Sequence, residues 1–219
     1  GTHHVRQGPE GPTGKCLSLV SEADAERTML TDLGCAMELP LASLFRDRIA
    51  AASVFHCTGY MFTGGPIGAV ADEALAEAKR NGTTISFDVA DPWVIEAHRE
   101  RLRPVVEELA DVVFLNAEEA RLWGQGDDPL AAARALAETV GTVVVKLGSQ
   151  GSAVLWNGHE ARIDVHRVDA IDTTGAGDVY HGAFASRHVK GGDWQTCMRF
   201  AAAAAALKCQ YLGGRTGIP

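Results

Sequence analysis

The sequence predicts an α/β fold, with a mostly parallel central sheet and helices on both faces. Strand-like and helix-like patterns alternate through most of the 219 residues, and such alternation packs as a parallel sheet under crossover helices. The run Val112-Val113-Phe114-Leu115 is continuously apolar, as expected of a strand covered on both sides. Asp88, Asn116 and the Lys146–Gly148 segment fall at the carboxyl ends of predicted strands, the edge where open α/β sheets hold their ligands.

The elements follow in order. Ala69–Arg80 is rich in Ala and Glu, carries apolar residues at helical spacing, and is closed by Asn81-Gly82 as by a C-cap. Thr84–Asp88 reads as a strand and Val94–Leu109 as the next helix. Val112–Asn116 is a strand, Ala117–Trp123 a short helix and Leu130–Val140 another. Thr142–Lys146 and Ser152–Trp156 are strands around a Gly148–Gly151 turn, which predicts a hairpin-like edge. Helices over about Gly177–Arg187 and Trp194–Leu207 finish the chain, and Ala201–Ala206 gives the second a narrow face for close packing. At the front, Gly11–Val20 followed by Glu26-Arg27-Thr28-Met29 reads as an entry into the core. No repeat, low-complexity linker or domain break interrupts the chain, so residues 1–219 read as a single core.

Composition narrows the functional classes. With 46% hydrophobic and 22% charged residues, this is an ordinary globular chain able to bury one sizeable core. A formal charge of -8 argues against nucleic acid or an anionic membrane as the main partner. An acidic chain that binds a polyphosphate must draw positive potential from helix ends, a lysine or a metal ion. Cys16, Cys35, Cys57, Cys197 and Cys209 are odd in number and form no C-x-x-C, which favours reduced thiols in a cytoplasmic protein. The Ala201–Leu207 run is too short to span a membrane. His3-His4 alone is weak evidence for metal.

The chemistry concentrates in Asp172-Thr173-Thr174-Gly175-Ala176-Gly177-Asp178. Gly175-Ala176-Gly177 lets the backbone approach a ligand closely. The helix that follows points its free N–H groups and positive dipole end at that ligand, which favours phosphate. Asp178 in the first turn is within reach of a group attacking that phosphate, the layout expected for phosphoryl transfer. Short Gly strings usually mark only turns, and an Asp there is commonly only a dipole partner. Other phosphate motifs fail on residue identity. Gly14-Lys15 is followed by Cys16 and preceded by Pro9 where a Walker A loop needs Gly. After Gly175 and Gly177 the next glycine is Gly182, too late for a dinucleotide fingerprint. Protein-kinase motifs are absent.

The complete string DTTGAGD resembles the C-terminal signature of the PfkB (ribokinase-like) family of sugar and nucleoside kinases. That resemblance covers about Gly11 to Pro219 and implies a ribokinase-like fold. It also implies ATP-dependent transfer of a phosphoryl group to a primary hydroxyl of a sugar or sugar derivative. Asp178 would be the catalytic base, and Gly175, Ala176 and Gly177 the anion hole. Asn116-Ala117-Glu118-Glu119 resembles the family's N-x-x-E motif, which puts Asn116 near the nucleotide phosphates and Glu119 near Mg²⁺ through water. The same residues suit a capping box. Val145–Gly151 resembles the segment that meets ATP, with Lys146, Gly148, Gly151 and also Thr173 on the nucleotide; a plain hairpin turn fits it as well. Asp172 and Thr174 correspond to residues that help build a monovalent-cation site (K⁺) in several members, with carbonyls expected from Gly213-Gly214-Arg215. Local capping of the turn fits them too.

Departures concern the acceptor. Asp91, one position past the register of the Asn in the sugar-kinase S-x-D-x-N string, stands in its place, and Asp91-Pro92-Trp93 looks more like the nucleoside branch, so an adenosine-type kinase is the runner-up. Asp91-Pro92 is equally an ordinary helix start. Asp88 reads as a neighbour of the phosphate side. Ala202 stands where some members carry a base-contacting Asn. The family's opening strands and lid, with their glycine pair, have no match here, so this chain is expected to lack that N-terminal substrate and lid segment. Several relatives pair through their lids, which leaves a homodimer open. An inactive nucleotide-binding core is the rival from another class.

Overall fold

The computed structural model describes residues 11–21, 27–41 and 45–219; His3, His4 and Glu26 lie outside them. Six strands form the central sheet in simple sequence order. These are β3 (Val54–Thr58), β4 (Thr84–Asp88), β5 (Val112–Asn116), β6 (Thr142–Lys146), β7 (Ser152–Trp156) and β8 (His159–Ile163). β3 to β6 pair in parallel; β7 and β8 turn back antiparallel, with Lys146 opposite Ser152 and Ser152 opposite Ile163. β1 (Thr13–Val20) and β2 (Arg27–Gly34) make a separate antiparallel ribbon.

The helices are α1 (Arg46–Ala51), α2 (Ile67–Asn81), α3 (Pro92–Pro104), α4 (Ala117–Gly124), α5 (Pro129–Ala137), α6 (Ala176–His188) and α7 (Trp194–Cys209). Period-two alternation in the strands sorts the core into two layers. Val113, Leu115, Val143, Val145, Ala153 and Leu155 pack with residues of α2 to α5. Val112, Phe114, Val144 and Val154 point the other way, against Tyr180, Phe184, Cys197, Met198 and Ala201 of α6 and α7. The alanine run of α7 serves this packing, and Ala202 is half-buried against the same cluster.

Differences from the sequence reading have local causes. The predicted 94–109 helix ends at Pro104, which brings no N–H to the ladder. Val105–Leu109 continues as one wider turn, closed by the Ala110 N–H on the Val105 carbonyl at 2.9 Å. α2 stops where expected, because Gly82 adopts φ 67° and caps it through its N–H. β7 is not an edge: β8 continues beyond it. The 11–20 and 27–29 segments do not enter the core but form the ribbon.

Candidate active site

Gly175 opens α6 with φ 79°, and a Cβ there would lie 2.6 Å from the Gly214 carbonyl oxygen. Only glycine fits, and the tight approach turns the chain into the helix. No side chain caps this end, so first-turn N–H groups at Gly177 and Asp178 face outward with the dipole behind them. Asp178 is exposed in that turn. Thr173 contributes its carbonyl, which accepts the Ala176 N–H at 3.1 Å. Thr174 presents its hydroxyl 3.4 Å from that of Ser18 in β1, so the ribbon touches the loop.

The ammonium of Lys146, at the carboxyl end of β6, sits beside this helix end: a Cβ on Gly177 would be 3.5 Å from its Nζ. Two side chains hold it there. Asp88 Oδ1 lies 3.4 Å away, and His181 Nε2 lies 2.9 Å away. An ammonium only donates, so Nε2 accepts and the ring proton is on Nδ1. Burial, Lys146 and His56 push the His181 pKa well below its ordinary value, so the ring is neutral. Burial raises the Asp88 pKa against the opposing pull of Lys146 and His56. His181 was missed by the sequence reading. The available signal was spacing, since it follows Gly177 by one helical turn.

Asn116 and Glu119 realise the capping box. The Asn116 side chain accepts the Glu119 N–H at 2.9 Å, and Glu119 accepts the Asn116 N–H at 2.7 Å and its side-chain amide at 2.6 Å. Glu119 is buried, and that burial, only partly opposed by Lys146, lifts its pKa to about 7. Asp91 caps α3 through the Trp93 N–H at 2.8 Å and accepts the Tyr60 hydroxyl at 3.3 Å. Gly148 and Gly151 differ. A Cβ on Gly148 would meet open space, whereas one on Gly151 would lie 2.1 Å from the Ile163 carbonyl oxygen. Gly151 is therefore needed for packing against β8. Among the described residues no group of three or more His, Cys, Asp or Glu side chains is arranged to hold a metal. Two open clefts of about 470 and 390 Å³ share His188 and Trp194. The first lies at the opposite, amino-terminal edge of the sheet, beside Thr84 and Thr142, and neither contains a residue of the cradle.

Asp172 fixes the loop entering the cradle. Its carboxylate accepts the Thr174 N–H at 2.8 Å and the Gly213 N–H at 2.7 Å, and the Lys208 ammonium donates to its carbonyl at 2.9 Å. Lys208 was also missed; near a helix end it reads as a mere dipole partner.

The fold is a ribokinase-like α/β core, and at the carboxyl edge of its sheet an uncapped helix N-terminus lies beside a lysine and a carboxylate. The chain belongs to the pfkB family of carbohydrate kinases, whose model matches residues 1–219. It is 26% identical over 213 residues to an "uncharacterized sugar kinase" of Archaeoglobus fulgidus, covering 96% of this chain and 82% of that one. It is 30% identical over 173 residues to a 2-dehydro-3-deoxygluconokinase of Thermoproteus tenax, covering 78% of this chain and 53% of the relative. Two solved structures superpose with TM-scores of 0.89: a probable sugar kinase of Rhizobium etli at 26% identity and an adenosine kinase of Sinorhizobium meliloti at 27%. Each match covers 93% of this chain, but only 62% and 63% of those structures.

Proposed function

We propose that this chain carries the phosphate-binding core of an ATP-dependent kinase that phosphorylates a primary hydroxyl of a sugar or sugar derivative. The observation that supports this most is the juxtaposition of Asp178, the uncapped Gly175–Gly177 turn and the Lys146 ammonium in one cradle. The cradle's N–H groups hold the transferring phosphoryl, and Lys146 balances its charge. Asp178 takes the hydroxyl proton. That role asks little of Asp178 when transfer is loose and deprotonation comes late.

Mg²⁺, when bound with ATP, neutralises phosphate charge. Both Glu119 oxygens already accept from Asn116, so the residues fit an ion held mainly by phosphate oxygens and water, with Asn116 and Glu119 ordering those waters. Lys146, Gly148 and Thr173 line the nucleotide side in this reading. Gly151 shapes the turn from behind.

Because the chain spans only part of most relatives, the acceptor site is proposed to draw on residues outside this span. The β1–β2 ribbon covers part of the site from Ser18. A nucleoside acceptor is the second reading, favoured by 27% identity to a yeast (Saccharomyces cerevisiae) adenosine kinase over 92% of this chain. We place the protein in the cytoplasm on its cysteine usage.

The test is ADP release from Mg-ATP by the full-length gene product against pentoses, hexoses, sugar acids, phosphosugars and nucleosides. One acceptor should stimulate release, and Asp178→Asn should retain ATP binding while losing on the order of 10²–10⁴ in turnover. Near-normal turnover in that variant would remove Asp178 from its role. Silence across the panel with ATP still bound would leave an inactive nucleotide-binding core.

A further inference from the structure

Lys208 is 0% exposed near the end of α7, and its ammonium donates to two backbone carbonyls, Asp172 at 2.9 Å and Tyr211 at 3.3 Å. A lysine is almost never fully buried without a partner in charge. The opposing charge nearby is the Asp172 carboxylate, itself 1% exposed, which acts on Lys208 through space without a direct ion pair. Its oxygens accept the Thr174 and Gly213 N–H groups at 2.8 and 2.7 Å, so the carboxylate is held in place within the turn. Lys208 and Asp172 thus form a buried pair of opposite formal charge. It ties the end of α7 to the loop that, three residues on, becomes Gly175. The Ile171 and Asp172 N–H groups complete the tie on the Cys209 carbonyl at 2.8 and 3.2 Å.

The resemblance implies a monovalent cation at Asp172 and Thr174, and the residues present do not fit one. Such an ion needs backbone carbonyls around it and a carboxylate to balance it. Lys208 already takes the Asp172 and Tyr211 carbonyls, and its formal charge already opposes that of the nearby carboxylate. A further cation would add an uncompensated charge to a buried pair that is neutral, and burying an unpaired charge is strongly unfavourable. We infer that the Lys208 ammonium is a built-in replacement for a monovalent cation, holding the Asp172–Gly175 turn in shape, so that this protein needs no potassium. Lys208 is thus a positioning residue, acting on the cradle through Asp172.

The test has two arms, and the first is independent of the kinase reading. Thermal unfolding of the full-length protein is followed in potassium, sodium and choline chloride at equal ionic strength. A cation bound only by the folded state raises the midpoint by mass action. The expected result is the same midpoint in all three salts. A potassium-specific rise of more than about 3 °C would overturn the inference. In the second arm Lys208→Met frees both carbonyls and leaves Asp172 unbalanced. In choline chloride this variant should lose roughly tenfold or more of its turnover, by misplacement of the cradle, and regain most of it in potassium chloride but not in sodium chloride. Wild-type turnover should be equal in all three. A Lys208→Met variant that is folded, impaired and indifferent to potassium would show a merely structural lysine and sink the idea. If that variant does not fold, the wild-type comparison decides alone. Absence of turnover with any acceptor would count against the kinase reading and leave the thermal arm intact.

Discussion

Glu119 holds its carboxylate in a capping box that is buried, and the two facts conflict. Its hydrogen bonds with Asn116 favour the charged form, while burial favours the neutral one and wins, leaving a pKa of about 7 against the ordinary 4.5. Between those values the folded state keeps a proton that the unfolded state has released. Stability from this group is therefore full below pH 4.5, falls as pH rises, and is gone above about 7. Urea unfolding at pH 5 and pH 8 checks this: wild type should lose about 2–3 kcal/mol more than Glu119→Gln across that range. Parallel losses would mean the carboxyl is ionised throughout. His181 works in the opposite sense, because its lowered pKa removes stability only as pH falls below its ordinary value. These residue-scale facts were partly legible. DTTGAGD and N-x-x-E stood out because their chemistry demands those residue types at fixed spacing. The holders of Lys146 and Asp172 did not, because His181 and Lys208 gain their roles only from partners 35 and 36 positions away.

At the scale of elements, sequence signals were clear wherever a segment buries one face. α2, β4, β5, β6, α6 and α7 all carry runs of core residues, and all were read within a few positions. β3 and β8 were not read. β8, His159-Glu160-Ala161-Arg162-Ile163, buries only Ile163, and β3 fully buries only Cys57; neither shows a clear period. Two helix starts then separate structural from functional design. α7 has an Asp N-cap, Asp193 accepting the Thr196 N–H at 2.7 Å, whereas α6 has none. Asp193→Ala should cost about 1 kcal/mol, seen as a fall of roughly 2–4 °C in midpoint, with ATP binding unchanged. Gly175→Ala should do the reverse damage: strain at φ 79° plus the clash with Gly214 distorts the cradle, and ATP affinity should fall at least about tenfold. Equal ATP affinity in both variants would show that the α6 turn is not the phosphate site.

The whole molecule is two bodies of unequal kind: a three-layer core with its site at the carboxyl edge of the sheet, and a ribbon beside it. The ribbon was not legible because its residues are almost all exposed, so it carries no core-facing pattern. Pairing nonetheless gives it two different faces. Ser18 lies opposite Met29 and turns toward Thr174, while Leu17 lies opposite Leu30 with Leu19 on the same side. Leu17, Leu19 and Leu30 are 58%, 55% and 59% exposed. A two-stranded ribbon is marginal by itself, and a contiguous apolar face of this kind asks to be covered. Covering it with the same face of a second copy satisfies both: under twofold symmetry the leucines of one copy meet those of the other, and the Lys15/Asp32 pair at the end of the same face carries both signs of charge, so each can meet its opposite. The expected outcome is a homodimer by sedimentation that dissociates in the Leu17→Glu, Leu30→Glu double variant. Its core should keep its unfolding midpoint within about 2 °C, because none of the three leucines packs on the central sheet. A wild-type protein that sediments as a monomer at micromolar concentration would show that the apolar face is covered by something other than its own copy.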